Sequence, residues 1–222
     1  MNKETFLQRY IDIETKIFIK SDKNKKIEDL FNGGGIDVNA NFSLADILYM
    51  LSELIAKEII IRQPLYGKLI YPILSDHVEQ NNVEAIKALL RLDQHLISYQ
   101  GYSKDTKYSS WALLEKGLSI SPNDKELLEL SERKTRDYLD YTLHELPIGV
   151  LYGDNGATIE ECEELIKEVE KYDMLCSKLD RNESELIMQC RYYYSTYKAY
   201  LSVFKSYKNF EDYLGKEGGS PK

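Results

Sequence analysis

The chain has few of the residues that build metal centres and reactive sites. Its 222 residues include three histidines, three cysteines and one tryptophan. The histidines His77, His95 and His144 stand far apart, and the glycine-rich stretches lack the lysine and hydroxyl of a phosphate-binding loop. The familiar metalloprotease and nucleotide-binding motifs are therefore excluded. We predict no catalytic residue, no metal site and no cofactor.

Long apolar runs are also missing. A membrane-spanning helix needs about 18 consecutive apolar residues, and the longest candidate, Leu54 to Ile61, is interrupted by Lys57 and Glu58. The first twenty residues carry acidic side chains and lack the apolar core of a secretory signal. We therefore expect a cytoplasmic protein that does not contact membranes.

Cysteine is scarce and unpaired in the sequence. Cys162, Cys176 and Cys190 are separated by fourteen residues each, which is about four helical turns and is not a metal-ligand spacing. An odd number of cysteines on apolar helix faces is typical of reduced thiols packed in a core.

Basic residues are outnumbered, and the formal net charge is −8. This balance disfavours binding to nucleic acid, because such binding relies on neutralising phosphates. One basic cluster, Lys20, Lys23, Lys25 and Lys26, is interpreted as a solvated polar turn, with contact to an anionic partner as the alternative. The predicted partner is another protein, and a basic one.

Helical signals recur along the whole chain. Ser43 with Asp46 and Thr158 with Glu161 have the spacing of capping boxes, and Ser121-Pro122 is typical of a helix start. No segment shows sustained period-two alternation. We therefore predict an all-α protein of about eight or nine helices, packed as an irregular stack of antiparallel hairpins. The stack is expected to form one domain over 1–222, with a subdivision into 1–100 and 101–222.

One short segment resembles a known repeat. Trp111 to Asp124 (WALLEKGLSISPND) is similar to the closing half of a tetratricopeptide repeat. The neighbouring stretches depart from the pattern, since Gly101 stands where the family has an aromatic residue and His144 where it has a small one. The resemblance covers one degenerate unit and implies α-solenoid-like packing of helical hairpins.

His144 is the histidine with the most suggestive neighbours. His144-Glu145 begins like a zinc-protease motif, but position 148 is Ile148, so the second histidine is missing. We expect His144 to be a buried imidazole that holds the backbone of the following glycine-rich loop by hydrogen bonds. The alternative is a helical-bundle enzyme with a site around His144 and Glu145.

An acidic helix follows that loop. Between Thr158 and Lys171 it carries six glutamates, of which Glu160, Glu161 and Glu164 are the candidate contact residues. Such a surface can attract a basic partner at long range. The alternative interpretation is a solvated helix face without a binding role.

The last helix carries an aromatic heptad pattern. The positions that alternate in steps of four and three are Leu186, Cys190, Tyr193, Tyr197, Tyr200, Phe204 and Tyr207. Tyrosine joins a large apolar ring to a hydroxyl that prefers water or a partner. Tyr193, Tyr197 and Tyr200 therefore predict a half-exposed groove or interface, with the edge of the helical core as the alternative.

These features together predict a protein–protein interaction module. Its size, acidity and lack of catalytic motifs suit a neutralising protein of the immunity type that masks a basic toxin. This analogy rests only on charge and shape class. A helical-bundle enzyme remains one alternative. A homodimer or larger homo-oligomer that buries the tyrosine pattern against its own copy is the other.

Overall fold

A computed structural model describes residues 1–33, 42–100, 107–146 and 158–217. The described residues form helices, turns and irregular segments and include no strand, which confirms the predicted all-α class. They fold into two compact units, Met1–Asp124 (unit 1) and Lys125–Lys222 (unit 2). None of the described helices is long and apolar enough to cross a membrane.

Unit 1 contains seven helices in its described part. They are α1 (Lys3–Lys16), α2 (Lys20–Gly33), α3 (Leu44–Ala56), α4 (Gln63–Leu65, continuing through Tyr66–Ile70 and Tyr71–Glu79), α5 (Val83–Arg91), α6 (Asp93–Gln100) and α7 (Ser110–Ile120). Unit 2 contributes four more, so the described residues hold eleven helices, somewhat more than the eight or nine expected.

The predicted capping box of α3 is confirmed. The Asp46 amide donates to Ser43 Oγ over 3.3 Å, and the Ser43 amide donates to the Asp46 carboxylate over 2.7 Å. This reciprocal pair satisfies two amides that have no partner within the helix. Local sequence therefore sets the position at which α3 begins.

The lysine cluster is helical, and its interpretation as a polar turn is wrong. Helix α2 begins at Lys20, so the four lysines lie in its first two turns. Lys23 Nζ donates to the backbone oxygen of Glu14 over 2.6 Å, while Ile27 and Leu30 are buried. The helix is stabilised by burial of its apolar face. The lysines by themselves do not mark where a helix begins.

Helix α3 ends earlier than the sequence suggests. The β-branched run Ile59-Ile60-Ile61 does not extend this helix, because the helix stops at Ala56. The amide of Ile59 donates to the oxygen of Leu54 and the amide of Glu58 to that of Ile55, while Glu58 adopts a φ of 53°. This is a Schellman motif, which ends the helix through a left-handed residue that is not glycine.

Helix α4 widens just before its proline. Tyr66–Ile70 is a π-helical segment in which the Tyr71 amide donates to the Tyr66 oxygen, five residues back. Pro72 lacks an amide hydrogen and its ring crowds the carbonyl four residues earlier. The wider turn accommodates the proline, and the helix continues to Glu79 without a break.

Unit 2 is built around a long helical hairpin. Its helices are α8 (Lys125–Glu145), α9 (Ile159–Lys178), α10 (Ser184–Val203) and α11 (Phe210–Glu217). Helix α8 starts at Lys125 and not directly after Ser121, because Ser121–Asp124 forms a turn closed by a 3.1 Å backbone bond. The predicted capping box of Thr158 and Glu161 is confirmed at the start of α9.

Two ion pairs set the register of α9 against α10. Lys198 Nζ lies 2.6 Å from a Glu163 oxygen, and Arg191 Nη2 lies 2.8 Å from a Glu170 oxygen. The partners are seven residues apart on each helix and run in opposite directions, so the helices are antiparallel. Between them lie the buried side chains of Cys162, Leu165, Val169, Ile187, Cys190, Tyr194 and Tyr197.

Candidate functional site

The aromatic heptad pattern does not lie on one continuous helix. Helix α10 ends at Val203, Phe204 begins a short 3₁₀ turn, and Tyr207 follows in an extended conformation. Phe204 is half exposed. The pattern is therefore helical from Leu186 to Tyr200, and its last two positions belong to the connection to α11.

The buried stripe of α10 differs from the predicted one. Its buried side chains are Ile187, Cys190, Tyr194 and Tyr197. Tyr193 and Tyr200 are only partly buried and lie at the margin of the core. Of the three predicted interface tyrosines, Tyr197 thus faces inward, and Tyr193 and Tyr200 remain in partial contact with solvent.

A cluster of aromatic rings holds α11 against α10. The ring of Phe210 lies 4.7 Å from that of Tyr197 and 5.5 Å from that of Tyr200, measured between centroids. Tyr213 extends the cluster, with centroids 5.6 Å from Tyr200 and 4.9 Å from Tyr207. Several of the C-terminal tyrosines therefore attach the last helix, which the heptad pattern did not predict as a separate element.

A sequence signal for α11 was available. The side chain of Asn209 accepts from the amide of Asp212 over 2.9 Å, as an N-cap residue does. Asparagine directly before Phe210 and two acids is a typical helix start. Recognising it would have separated Tyr207 from the preceding helix.

The three helices α8, α10 and α11 enclose a groove of about 410 Å³. Its lining residues are Leu143, His144, Leu146, Gln189, Tyr193, Phe210, Glu211 and Leu214. We call it the C-terminal groove. Its lining combines apolar side chains with one tyrosine, and its polar members are His144, Gln189 and Glu211. Tyr193 is the predicted interface residue that the structure places here.

His144 is on the surface, and its expected burial is wrong. Its side chain is 80% exposed and sits in the last turn of α8. Its Nδ1 lies 3.2 Å from Oε1 of Glu145, the adjacent residue. The loop that His144 was expected to support lies at 147–157, outside the described residues.

The candidate acidic residues have different surroundings. Glu161 completes the capping box, where its carboxylate accepts from the Thr158 amide over 2.7 Å. Glu160 and Glu164 are exposed to solvent on α9 and form no ion pair with the described residues. Glu163 and Glu170, by contrast, are neutralised by cations of α10. The carboxylates available to a partner on α9 are therefore those of Glu160 and Glu164.

A buried carboxylate lies elsewhere in unit 2. Glu132 on α8 is fully buried, accepts from the Tyr172 hydroxyl over 3.2 Å and pairs with Arg181. Burial and the nearby Glu132 charge raise the pKa of Tyr172. The Glu132 carboxylate is enclosed and already bound by Tyr172 and Arg181. It therefore links α8 to the end of α9 and is not arranged to bind a ligand.

The three cysteines are core thiols. Burial raises the pKa of Cys162 to about 11 and that of Cys190 to about 12, and it also raises the pKa of Cys176. They are therefore protonated and unreactive at neutral pH. The described residues contain no group of three or more histidine, cysteine or acidic side chains that could hold a metal ion.

Comparisons with known proteins assign no family. The chain matches no family model, no curated protein and no solved structure.

Proposed function

We propose that this protein is an interaction module that binds a basic protein through unit 2. The observation that supports this function best is the C-terminal groove, in which apolar side chains lie beside one carboxylate. Leu143, Leu146 and Leu214 supply apolar surface, and Glu211 supplies a carboxylate. Apolar contact gives affinity, whereas the surrounding charge selects the partner.

The groove has the size and lining of a site that receives side chains. At about 410 Å³ it falls in the range of pockets that enclose small ligands or inserted anchor residues. Tyr193 presents a ring that is already held by packing against Tyr192, with centroids 5.1 Å apart. A rigid aromatic ring in a groove loses little conformational freedom on binding, which is a common property of interface anchors.

The charge of unit 2 favours a basic partner. Residues 125–222 contain twenty acidic side chains and fourteen basic ones, so this unit carries most of the net charge of −8. Glu160 and Glu164 add exposed carboxylates on α9. Charges of one sign raise the rate of encounter with an oppositely charged protein and make it sensitive to salt. Neutralisation of a basic toxin, as by an immunity protein, is one form of this function.

The test uses the full chain as bait in an extract of its native cells. A captured basic protein is then purified and titrated against wild-type protein and variants. We expect Tyr193→Ala to weaken binding at least about tenfold. The matched control is Tyr141→Ala, which truncates an exposed tyrosine of α8 that does not line the groove.

The electrostatic part is tested separately. The double variant Glu160→Gln/Glu164→Gln is expected to lower the association rate and its salt dependence, whereas Glu115→Gln in unit 1 leaves both unchanged. Equal affinity of the Tyr193→Ala and wild-type proteins for the purified partner contradicts the groove as the contact site. A partner whose binding strengthens with salt contradicts the charge argument.

A further inference from the structure

The connection between α1 and α2 exposes two large apolar side chains next to each other. Phe18 is 92% exposed and Ile19 is 61% exposed, and both lie in the segment 17–19 between the two helices. We call them the apolar pair. Among the exposed large apolar side chains of the described residues, Phe18 has the highest exposed fraction. Single apolar residues are common on protein surfaces, but an adjacent pair in one turn presents a contiguous apolar patch to solvent.

The helices on both sides hold the apolar pair in a defined conformation. The amide of Ile17 donates to the oxygen of Ile13 over 3.3 Å and extends the hydrogen bonds of α1. The amide of Lys23 donates to the oxygen of Ile19 over 3.0 Å and closes the first turn of α2. Lys23 Nζ also donates to the backbone oxygen of Glu14 over 2.6 Å, which links the start of α2 to the end of α1. A patch that is ordered before binding loses little conformational freedom on contact.

The charge around the apolar pair is positive. The segment 16–26 contains five lysines and one acid, Asp22. Lys16 and Lys23 are ion-paired with carboxylates of α1. The other three lysines are exposed and have no ion pair with any of the described residues: Lys20, Lys25 and Lys26. We call them the unpaired lysines. They lie in the first two turns of α2, directly after the apolar pair.

The acidity of the whole chain does not cancel this local charge. Of the next acids along α2, Glu28 is ion-paired with Lys68, and Asp29 lies nearly three helical turns beyond Ile19. Unit 1 as a whole has fifteen basic and seventeen acidic side chains, so most of the negative charge belongs to unit 2. Distant exposed charges are largely screened at physiological salt. The connection between α1 and α2 therefore attracts an anionic surface.

We propose that the connection between α1 and α2 binds the surface of a membrane that contains anionic lipids. The apolar pair enters the boundary between head groups and acyl chains, where it is removed from water. The unpaired lysines stay at the level of the head groups and attract their negative charge. This departs from the sequence-based expectation of no membrane contact. That expectation considers membrane-spanning segments, and binding at a bilayer surface needs none.

The exposure of Phe18 favours a bilayer over an acidic protein as the partner. Anchor residues of protein interfaces are normally surrounded by neighbours that exclude water from the contact. At 92% exposure the Phe18 side chain has almost no such neighbours in this chain. A bilayer supplies the enclosure itself, because an apolar side chain that enters it is surrounded by acyl chains on all sides.

The proposal concerns unit 1 alone and does not depend on the proposed partner of unit 2. The first test measures how much of the full chain sediments with sucrose-loaded vesicles. Vesicles of phosphatidylcholine mixed with phosphatidylserine are compared with vesicles of phosphatidylcholine alone. We expect at least about tenfold stronger binding to the mixed vesicles, and binding that weakens as salt is added. No binding to the mixed vesicles, or equal binding to both kinds, overturns the proposal.

The apolar contribution is tested with Phe18→Ala. Because the ring is almost fully exposed, its loss leaves the fold intact, which circular dichroism checks. We expect vesicle binding to weaken at least about tenfold. The matched control is Tyr49→Ala, which removes an exposed aromatic ring of α3, also in unit 1, and is expected to bind like the wild type. Equal binding of Phe18→Ala and wild type contradicts insertion of the apolar pair.

The charge contribution is tested with the double variant Lys25→Gln/Lys26→Gln. It removes two of the unpaired lysines and is expected to weaken binding to the mixed vesicles at least about tenfold. The control Lys178→Gln/Lys205→Gln removes two exposed lysines of unit 2 and changes the net charge by the same amount. Equal weakening by the two double variants would show an effect of net charge alone and would contradict a local site.

A fluorescent label locates the contact without removing Phe18. The three native thiols are buried, so a polarity-sensitive dye attaches to an introduced surface cysteine. In Ile19→Cys the dye emission is expected to shift to the blue on mixed vesicles and to be quenched by nitroxides on the acyl chains. In Ser119→Cys, at an exposed position of α7, it should do neither. The same response at both positions, or none at Ile19→Cys, overturns the proposed insertion.

Polyglutamate in place of vesicles tests the other class of partner. It offers the negative charge of an acidic protein without an apolar interior. We expect it to bind weakly and to be insensitive to Phe18→Ala. A chain that binds polyglutamate through Phe18 and does not bind vesicles would assign the connection to an acidic protein and would overturn the membrane proposal.

Discussion

The hydroxyl oxygens of Thr142 on α8 and Tyr194 on α10 lie 2.5 Å apart in the interior of unit 2, where both residues are fully buried. Each oxygen also lies near the backbone oxygen of Leu139, at 3.0 Å from Thr142 and 3.3 Å from Tyr194. Tyr194 therefore adds a polar connection between two helices to the apolar contact of its ring. This arrangement gives a physical reason for tyrosine at a core position where leucine would only pack.

We expect Tyr194→Phe to lower the free energy of unfolding by about 1 kcal/mol. The ring stays in place and one hydrogen bond is lost, while Thr142 can still donate to Leu139. The measurement is urea unfolding followed by circular dichroism. The control, Tyr141→Phe, changes an exposed residue of α8 and should alter stability by less than about 0.5 kcal/mol. Equal stability of Tyr194→Phe and wild type would show that the hydroxyl contact contributes nothing.

Two helix starts, those of α3 and α9, were predictable because capping is local. Ser43 and Thr158 each meet an acid three residues later, and both pairs form capping boxes in the structure. The end of α3 could not be predicted in the same way, because it depends on a left-handed Glu58 and glutamate rarely adopts that conformation. Helix starts that carry a capping box could therefore be inferred from a short motif, whereas this helix end could not.

The phase of the tyrosine stripe illustrates a second limit. Three consecutive tyrosines, Tyr192 to Tyr194, offer the same side chain at three successive angles around the helix. A heptad count selects Tyr193, but the structure buries Tyr194, because α8 supplies Thr142 opposite it. The choice depends on a residue 52 positions away, and periodicity within one helix contains no such information.

The candidate site was predictable only in part for the same reason. Tyr193 was identified as an interface residue and does line the C-terminal groove. Leu143 from α8 and Leu214 from α11 were not identified, because they meet Tyr193 only after the three helices have packed. Surface grooves arise from non-local contacts, and a single sequence gives no direct evidence of them.

A buried carboxylate in unit 1 provides a second stability test. Glu14 on α1 accepts from Arg62 through two guanidinium nitrogens and from Lys23 Nζ over 3.2 Å. The side chains of Glu14, Lys23 and Arg62 are all largely buried. We expect Glu14→Gln to lower the free energy of unfolding by about 3 kcal/mol, because two buried cations lose their counter-charge. Urea unfolding measures the change.

The control for this variant is Glu4→Gln, which removes a charge from the exposed first turn of the same helix. It should change stability by less than about 0.5 kcal/mol. If Glu14→Gln and Glu4→Gln were equally mild, the cluster around Glu14 would not be a significant source of stability.

The N-terminus of α3 should make stability depend on pH. Hydrogen bonds from Lys3, and then from Ser43, hold the pKa of Asp46 at about 2, below its ordinary value of 3.8. Because the folded pKa is the lower one, the ionised carboxylate stabilises the fold above about pH 4, and this contribution is lost as the pH falls toward 2. We expect the stability difference between wild type and Asp46→Asn to shrink over that interval. Urea midpoints at pH 6, 4 and 3 measure it, and a difference that does not change with pH would contradict the assignment.

Helix α11 should detach from unit 2 when Phe210 is truncated. Phe210 is buried among Tyr197, Tyr200 and Tyr213, and it is the buried residue of α11. A Phe→Ala change in a core lowers stability by about 3–5 kcal/mol. The remaining contacts of a helix of eight residues are too few to compensate for this loss. Local unfolding is therefore expected, with the rest of the unit retained.

Amide hydrogen exchange resolves this outcome by position. In Phe210→Ala the amides of 213–217 should exchange nearly as fast as in an unfolded chain, while those of 187–197 in α10 keep their protection. Phe204→Ala, which truncates a half-exposed ring in the connection before α11, should leave both segments protected. Uniform loss of protection across α10 and α11 would show instead that the two helices unfold together. Because Phe210 and Leu214 line the C-terminal groove, local detachment would also remove one wall of the proposed partner site and leave the α9–α10 hairpin intact.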